Sequence, residues 1–127
     1  MRLLLDTHTA IWWLDAPEKL SKLGYGLISE PENEILISPV VPWEIAIKMN
    51  TGKLSPHELV SDFRRVIMEE NFTAMEIGPL YTIRAGLLPL HHRDPFDRLL
   101  AAQSLELDIP LISADKIFDH YGVKRVW

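Results

Sequence analysis

Three short apolar runs, Leu3-Leu4-Leu5, Ile35-Leu36-Ile37 and Leu111-Ile112, punctuate a chain whose intervening segments carry helix signals. Runs this short, without polar alternation, read as strands buried on both faces. Strands that alternate with helices imply an α/β domain whose central sheet is mostly parallel and covered on both sides. At 127 residues the chain is expected to form one domain spanning 1–127, and its 47% hydrophobic content is enough for a real core.

The helices can be placed by their own signals. Arg2–Leu5 opens as a strand, and Thr7–Asp15 follows as a helix with Ala10, Ile11 and Leu14 on one stripe. Ser21–Ser29 is a weaker helix, interrupted by Gly24 and Gly26. Glu34–Ser38 is the second strand. Pro39 and Pro42 mark the start of a helix carrying Trp43, Glu44, Ile47 and Lys48, with Gly52 suited to a left-handed cap. Ser55-Pro56-His57-Glu58 has the form of a capping box, and the spacing predicts a helix from it to Glu70. Ala74–Ile77 is expected as a strand and Pro79–Leu87 as a helix. Asp94 at the N-cap and Pro95 at the first helical position open the clearest helix, which runs to Leu107. Pro110–Ser113, Lys116–Tyr121 and Val123–Trp127 are expected as strand, short helix and strand.

Charge and composition narrow the function. With 13 Lys and Arg against 18 Asp and Glu, a net −5, the chain lacks the broad basic surface of a protein that holds nucleic acid by charge alone. Local contact through a metal and a few basic residues is compatible with that balance. The absence of cysteine excludes disulfides, a thiolate nucleophile and a Cys-based zinc site. The opening apolar stretch is too short for a signal peptide or membrane span, so a cytoplasmic protein is expected.

Four acidic residues stand out by position. Asp6 follows the first strand and Asp115 follows the strand at Pro110–Ser113. Glu44 lies just past the second strand, and Asp97 sits in the first turn of the last long helix. In an open parallel sheet, residues past the strand C-termini share one edge, where ligands bind. Each acid has an ordinary alternative: Asp6, Asp94 and Asp115 as helix caps, Asp97 as a partner of the helix dipole, Glu44 as an i, i+4 partner of Lys48. Collected at one edge, however, two unpaired carboxylates 4 Å apart repel by about 4 kcal/mol at an effective dielectric of 20. A divalent cation relieves this directly, and Mg²⁺ or Mn²⁺ prefers such oxygen ligands. The same ion would activate water and stabilise phosphoryl charge without a Ser, Cys or His nucleophile.

Four segments carry a family resemblance: Leu3-Leu4-Leu5-Asp6-Thr7-His8, Val41-Pro42-Trp43-Glu44-Ile45, the block from His92 to Gln103, and Leu111-Ile112-Ser113-Ala114-Asp115. In this order and spacing the chain resembles, over essentially its whole length, the PIN-domain ribonucleases, in particular the VapC-type toxins of toxin–antitoxin pairs. The resemblance implies an α/β/α sandwich and metal-dependent endoribonuclease activity that leaves a 5′-phosphate and a 3′-hydroxyl. It implies Asp6, Glu44, Asp97 and Asp115 as the acidic site, with Asp6 and Asp97 or Asp115 on Mg²⁺ or Mn²⁺. Ser113 and Asp94 take supporting places, Asp94 as a cap and outer group. The implied partners are RNA, a cognate antitoxin that in some pairs inserts Arg or Lys into the acidic site, and a second copy in a homodimer.

Arg93, Arg98, His91 and His92 flank the acids and could touch RNA phosphates at the rim, or be ordinary surface charge. Trp12 and Trp13, adjacent on a helix, diverge by about 100° and cannot share one core face; one could serve a protein interface. Two rival readings stand beside the nuclease. An aspartyl-phosphate enzyme would want a second acid two positions after Asp6, where this chain has His8. A PIN-like module that has lost catalysis and only binds RNA or protein is the other.

Overall fold

In a computed structural model describing residues 1–127, the three apolar runs are strands β1 (Arg2–Leu5), β2 (Glu34–Ile37) and β4 (Leu111–Ile112). Two short strands, β3 (Thr73–Ala74) and β5 (Arg125–Val126), complete a five-stranded sheet in the order β3-β2-β1-β4-β5. Every pairing is parallel. The chain therefore winds outward from β1 to β3, returns to the other side of β1 with β4, and ends at β5.

The strands read as uninterrupted apolar runs because both faces are covered. Leu4, Leu36 and Leu111 face one core, packed under helices α6 (Pro79–Leu87) and α7 (Pro95–Leu107) together with Phe118 and Tyr121. Leu3, Leu5, Ile35, Ile37 and Ile112 face the other core. That second layer holds α1 (Thr7–Asp15), α2 (Lys22–Ser29), α4 (Glu58–Ser61) and α5 (Phe63–Glu69). Helix α3 (Val40–Asn50) serves both, with Val40 in the first core and Val41 and Ile45 in the second. The result is a three-layer α/β/α sandwich.

Local chemistry fixes most helix ends as expected. Asp94 caps α7, accepting from the Phe96 and Asp97 amides at 2.9 and 3.4 Å. Gly52 adopts φ +76° just past α3. Pro39 and Pro42 sit at the start of α3, where a missing N–H costs no helical bond. Gly24 permits close packing, since a Cβ there would stand 3.0 Å from the Ser21 hydroxyl that caps α2.

Two expectations need correction. The single helix from Ser55 to Glu70 is two short helices broken at Asp62, whose carboxylate bonds Arg65 Nε at 2.7 Å. Its cap is His57, not Ser55: Asp15 holds the imidazole by Nε2 at 2.8 Å, and Nδ1 accepts from the Leu59 amide. The third strand is Thr73–Ala74 and not Ala74–Ile77, because β2 offers partners only at Leu36 and Ile37. Met75 and Ile77 go on to cover the first core.

Candidate functional site

The sheet register builds one edge of polar groups. Leu5 pairs with Ile112, and Leu4 with Leu36. Continuing both registers sets Asp6 between Ser113 and Ser38, just past the strand ends. This is also where the winding reverses, between β1 and β4, the place at which parallel sheets open a crevice.

Asp6 is buried and fully engaged. Oδ1 caps α1 by accepting from the Thr9 amide at 2.8 Å, and Oδ2 accepts a short hydrogen bond from the Ser113 hydroxyl. Ser113 Oγ in turn accepts from the Asp115 amide at 3.0 Å. One serine thus ties the acid after β1 to the acid after β4. Burial pushes the Asp6 carboxyl above its usual range, against the opposing effect of the Ser113 and Thr9 bonds. Asp115 is exposed and caps the turn Lys116–Tyr121 through the Ile117 amide at 3.0 Å.

Glu44 reaches the same pocket from the first turns of α3. Its side chain is buried, with Thr7 Oγ1 donating to Oε1 at 2.6 Å and Lys48 Nζ 2.9 Å from Oε2. The Glu44–Lys48 pair expected from i, i+4 spacing is therefore present. A buried carboxylate makes it more than a surface pair, because removing Lys48 leaves the buried Glu44 carboxylate without its charged partner.

Asp97 closes the far side. Its Oδ2 lies 2.9 Å from His92 Nε2. Burial first, then the Asp94 charge, and more weakly that of Glu44, raise its carboxyl to about 7, with His92 acting in the opposite sense. Ligand-capable atoms of His92, Asp94 and Asp97 all lie within 4.8 Å of one another. Asp6 and Asp115 are outside that group, joined to each other through Ser113.

The donor chemistry suits a hard divalent cation. Two carboxylates, the oxygen donors such ions prefer, converge beside an imidazole, and burial first, then the Asp94 charge, forces the Asp97 carboxyl toward its neutral form. Asp94 is both the cap of α7 and a member of this group, a closer part than the outer one expected for it.

One flanking residue differs from both readings open to it. Arg98 does not face the rim. It is buried, and its guanidinium donates to the carbonyls of Ala85, Gly86, Leu88, Pro89 and His92 at 2.8–3.3 Å. It caps the end of α6 and pins the following loop, which leaves it no role in RNA contact. Arg93 is exposed beside the pocket. Neither Trp12 nor Trp13 stands free. Trp12 packs between His8 and Trp127, and Trp13 lies on Tyr25 and donates to Glu70 at 2.8 Å.

Thr7, Thr9 and His92 are the pocket residues that sequence reasoning misses or misjudges. The threonines carry a signal, a Thr-x-Thr directly after an N-cap Asp. His92 carries none, because its contact with Asp97 depends on the loop's path.

The model of one family, described as PIN domain, matches residues 3–124. Among solved structures the chain is similar to one of VapBC2 from Rickettsia felis bound to a DNA fragment from their promoter. That likeness has TM-score 0.71 and 16% identity, and covers 100% of this chain and 99% of that one. A structure of FitAB bound to an IR36 DNA fragment gives TM-score 0.69 at 14% identity, over 98% and 93% of the two chains. One of VapBC-1 from nontypeable Haemophilus influenzae gives 0.63 at 16%, over 99% and 97%. Among curated proteins no sequence matches significantly. No helix is long and apolar enough to cross a membrane.

Proposed function

This chain belongs to the PIN-domain family, and we propose that its acidic pocket is the active centre of a divalent-metal-dependent endoribonuclease, the VapC-type toxin of a toxin–antitoxin pair. The supporting observation is the half-buried carboxyl of Asp97, raised to about 7 beside Asp94 and Glu44 at the edge where parallel sheets bind ligands.

Asp97 and Asp94, with Asp6 and Asp115 across the pocket, would hold Mg²⁺ or Mn²⁺. Such an ion supplies an acidified water and a positive charge opposite the phosphate. The protein's own part is to fix the acids. Ser113 and the Thr9 amide hold Asp6 in one rotamer, and Thr7 and Lys48 do the same for Glu44. Glu44 would orient the attacking water, and exposed Arg93 would meet an RNA phosphate at the rim. The cut leaves a 5′-phosphate and a 3′-hydroxyl.

Two protein partners belong to this reading, a cognate antitoxin and a second copy in a homodimer. Leu80, Ile83 and Leu87, 72%, 58% and 81% exposed, form a stripe along α6 that a second copy would cover. The cytoplasm is the expected compartment.

The test is cleavage of a mixed RNA pool. Wild type should cut with Mg²⁺ or Mn²⁺, and EDTA should abolish cutting. Asp97→Asn should lose about 10²-fold or more, the range lost when charge stabilisation in an active centre is removed. Cutting that survives both EDTA and Asp97→Asn would leave the pocket without this role.

A further inference from the structure

Beside the acids lies a feature that metal chemistry does not use. Trp43 precedes Glu44 in the first turns of α3, yet 53% of it is exposed. Phe96, which precedes Asp97, meets the indole edge-to-face with centroids 4.8 Å apart and planes at 86°. Two aromatic rings, each adjacent in sequence to a pocket acid, thus brace one another across the gap between α3 and α7. Trp43, Thr82, Ala85, Gly86, Pro95 and Leu99 line a groove of about 290 Å³ there.

We propose that this groove binds a nucleobase of the RNA substrate, stacked on Trp43, next to the phosphate at the acidic pocket. The proposal rests on the nuclease reading and adds to it how the substrate is held.

Three observations choose this occupant. Arg98 is the only charged residue among the groove's lining, and its guanidinium is spent on backbone carbonyls, so the groove suits a flat uncharged ring and not a phosphate. The chain carries a net charge of −5, which weighs against a broad electrostatic hold on RNA and favours a contribution from stacking. The groove also uses the side of α6 bearing Thr82, Ala85 and Gly86. At 100° per residue that side is turned away from Leu80, Ile83 and Leu87, the stripe that suits a second copy. The Phe96 contact fixes the indole before RNA arrives, which lowers the ordering cost of binding.

Gly86 supplies an independent test. A Cβ there meets no atom within 4 Å. Gly86→Leu can therefore fill the groove while Trp43 stays in place, and the helix loses a poor helix former.

The experiment measures binding of a fluorescent single-stranded RNA oligomer by anisotropy, in EDTA so that nothing is cut, together with each variant's elution volume and circular dichroism. Trp43→Ala should weaken binding about 10-fold, within the range for losing one base stack. Trp43→Phe should restore most of it, and Gly86→Leu should weaken binding as Trp43→Ala does. All should elute and fold as wild type does. Replacing the RNA by an abasic oligomer of the same length should erase the difference between wild type and Trp43→Ala. Equal binding by wild type and Trp43→Ala, or an altered elution volume showing that the groove seats a protein, overturns the proposal. Metal-dependent cutting that persists in Trp43→Ala with unchanged KM would sink the stacking site and spare the nuclease. RNA binding through Trp43 by a protein that cuts nothing with any divalent ion would do the reverse.

Discussion

The two ends of the acidic pocket are built in opposite ways. At the Asp6 end, neutral donors oppose the penalty of burial: the Thr9 amide takes one oxygen and the Ser113 hydroxyl the other. At the Asp97 end, Asp94 and Glu44 add like charge, and one imidazole is the only side chain bonded to the Asp97 carboxyl. At the first end the chain's own donors fix the carboxylate in one position. The second is short of positive charge, which is the property a cation site needs before its ion arrives. The acids for which one chemistry is proposed are therefore not equivalent in their surroundings.

The biggest change in stability should come at the second end, but not from an acid. Arg98→Met should lower the unfolding free energy by about 3 kcal/mol, because it leaves five carbonyl oxygens without their donor. Denaturant melts would show it as a lower midpoint at constant slope. A loss well under 1 kcal/mol would mean that water replaces the guanidinium, and that the loop bearing His92 is not pinned.

Next come the two acids themselves, which should differ in sign. Asp6→Ala removes the α1 cap and the partner of the Ser113 hydroxyl, and should cost about 1–2 kcal/mol. Asp97→Asn removes a carboxylate disfavoured by burial and by the Asp94 charge, and in EDTA at pH 8 should stabilise by about 1 kcal/mol. Two losses of similar size would erase the contrast.

The pH dependence is smaller and more specific. The folded Asp97 carboxyl sits at about 7 against an ordinary value of 3.8. Between those values the folded state holds a proton that the unfolded state has released. Its contribution to stability is therefore full below pH 3.8, falls as pH rises through that window, and is flat above about 7. Metal competes with the same proton. The rise in Tm that saturating Mn²⁺ gives should be larger at pH 8 than at pH 6 for wild type, and the gap should close in Asp97→Asn. A rise independent of pH would mean that the ion binds without displacing that proton.

Much of this organisation is legible in the amino-acid order. Leu3-Leu4-Leu5 and Ile35-Leu36-Ile37 announce strands covered on both faces, and Asp94-Pro95 announces a capped helix, since each depends on neighbours in sequence. Position past a strand end is enough to bring Asp6 and Ser113 together. Arg98 defies the pattern because a charged side chain in a first helical turn ordinarily faces water. Only the carbonyls freed at the end of α6, thirteen residues away from it at Ala85, give it a buried home. The split at Asp62 is hidden for a similar reason. The cap on α4 is fixed by Asp15, 42 residues before His57, and no local pattern reports that contact.

Everything proposed for the pocket requires that Asp97 and its neighbours form a divalent-cation site, and calorimetric titration of Mn²⁺ into the metal-free protein at pH 8 is the sharpest probe of it. Wild type should give saturable heat, and Asp97→Asn should bind at least about 10-fold more weakly, the loss of one charged ligand. Identical titrations of the two proteins, or no heat from wild type, would refute the site.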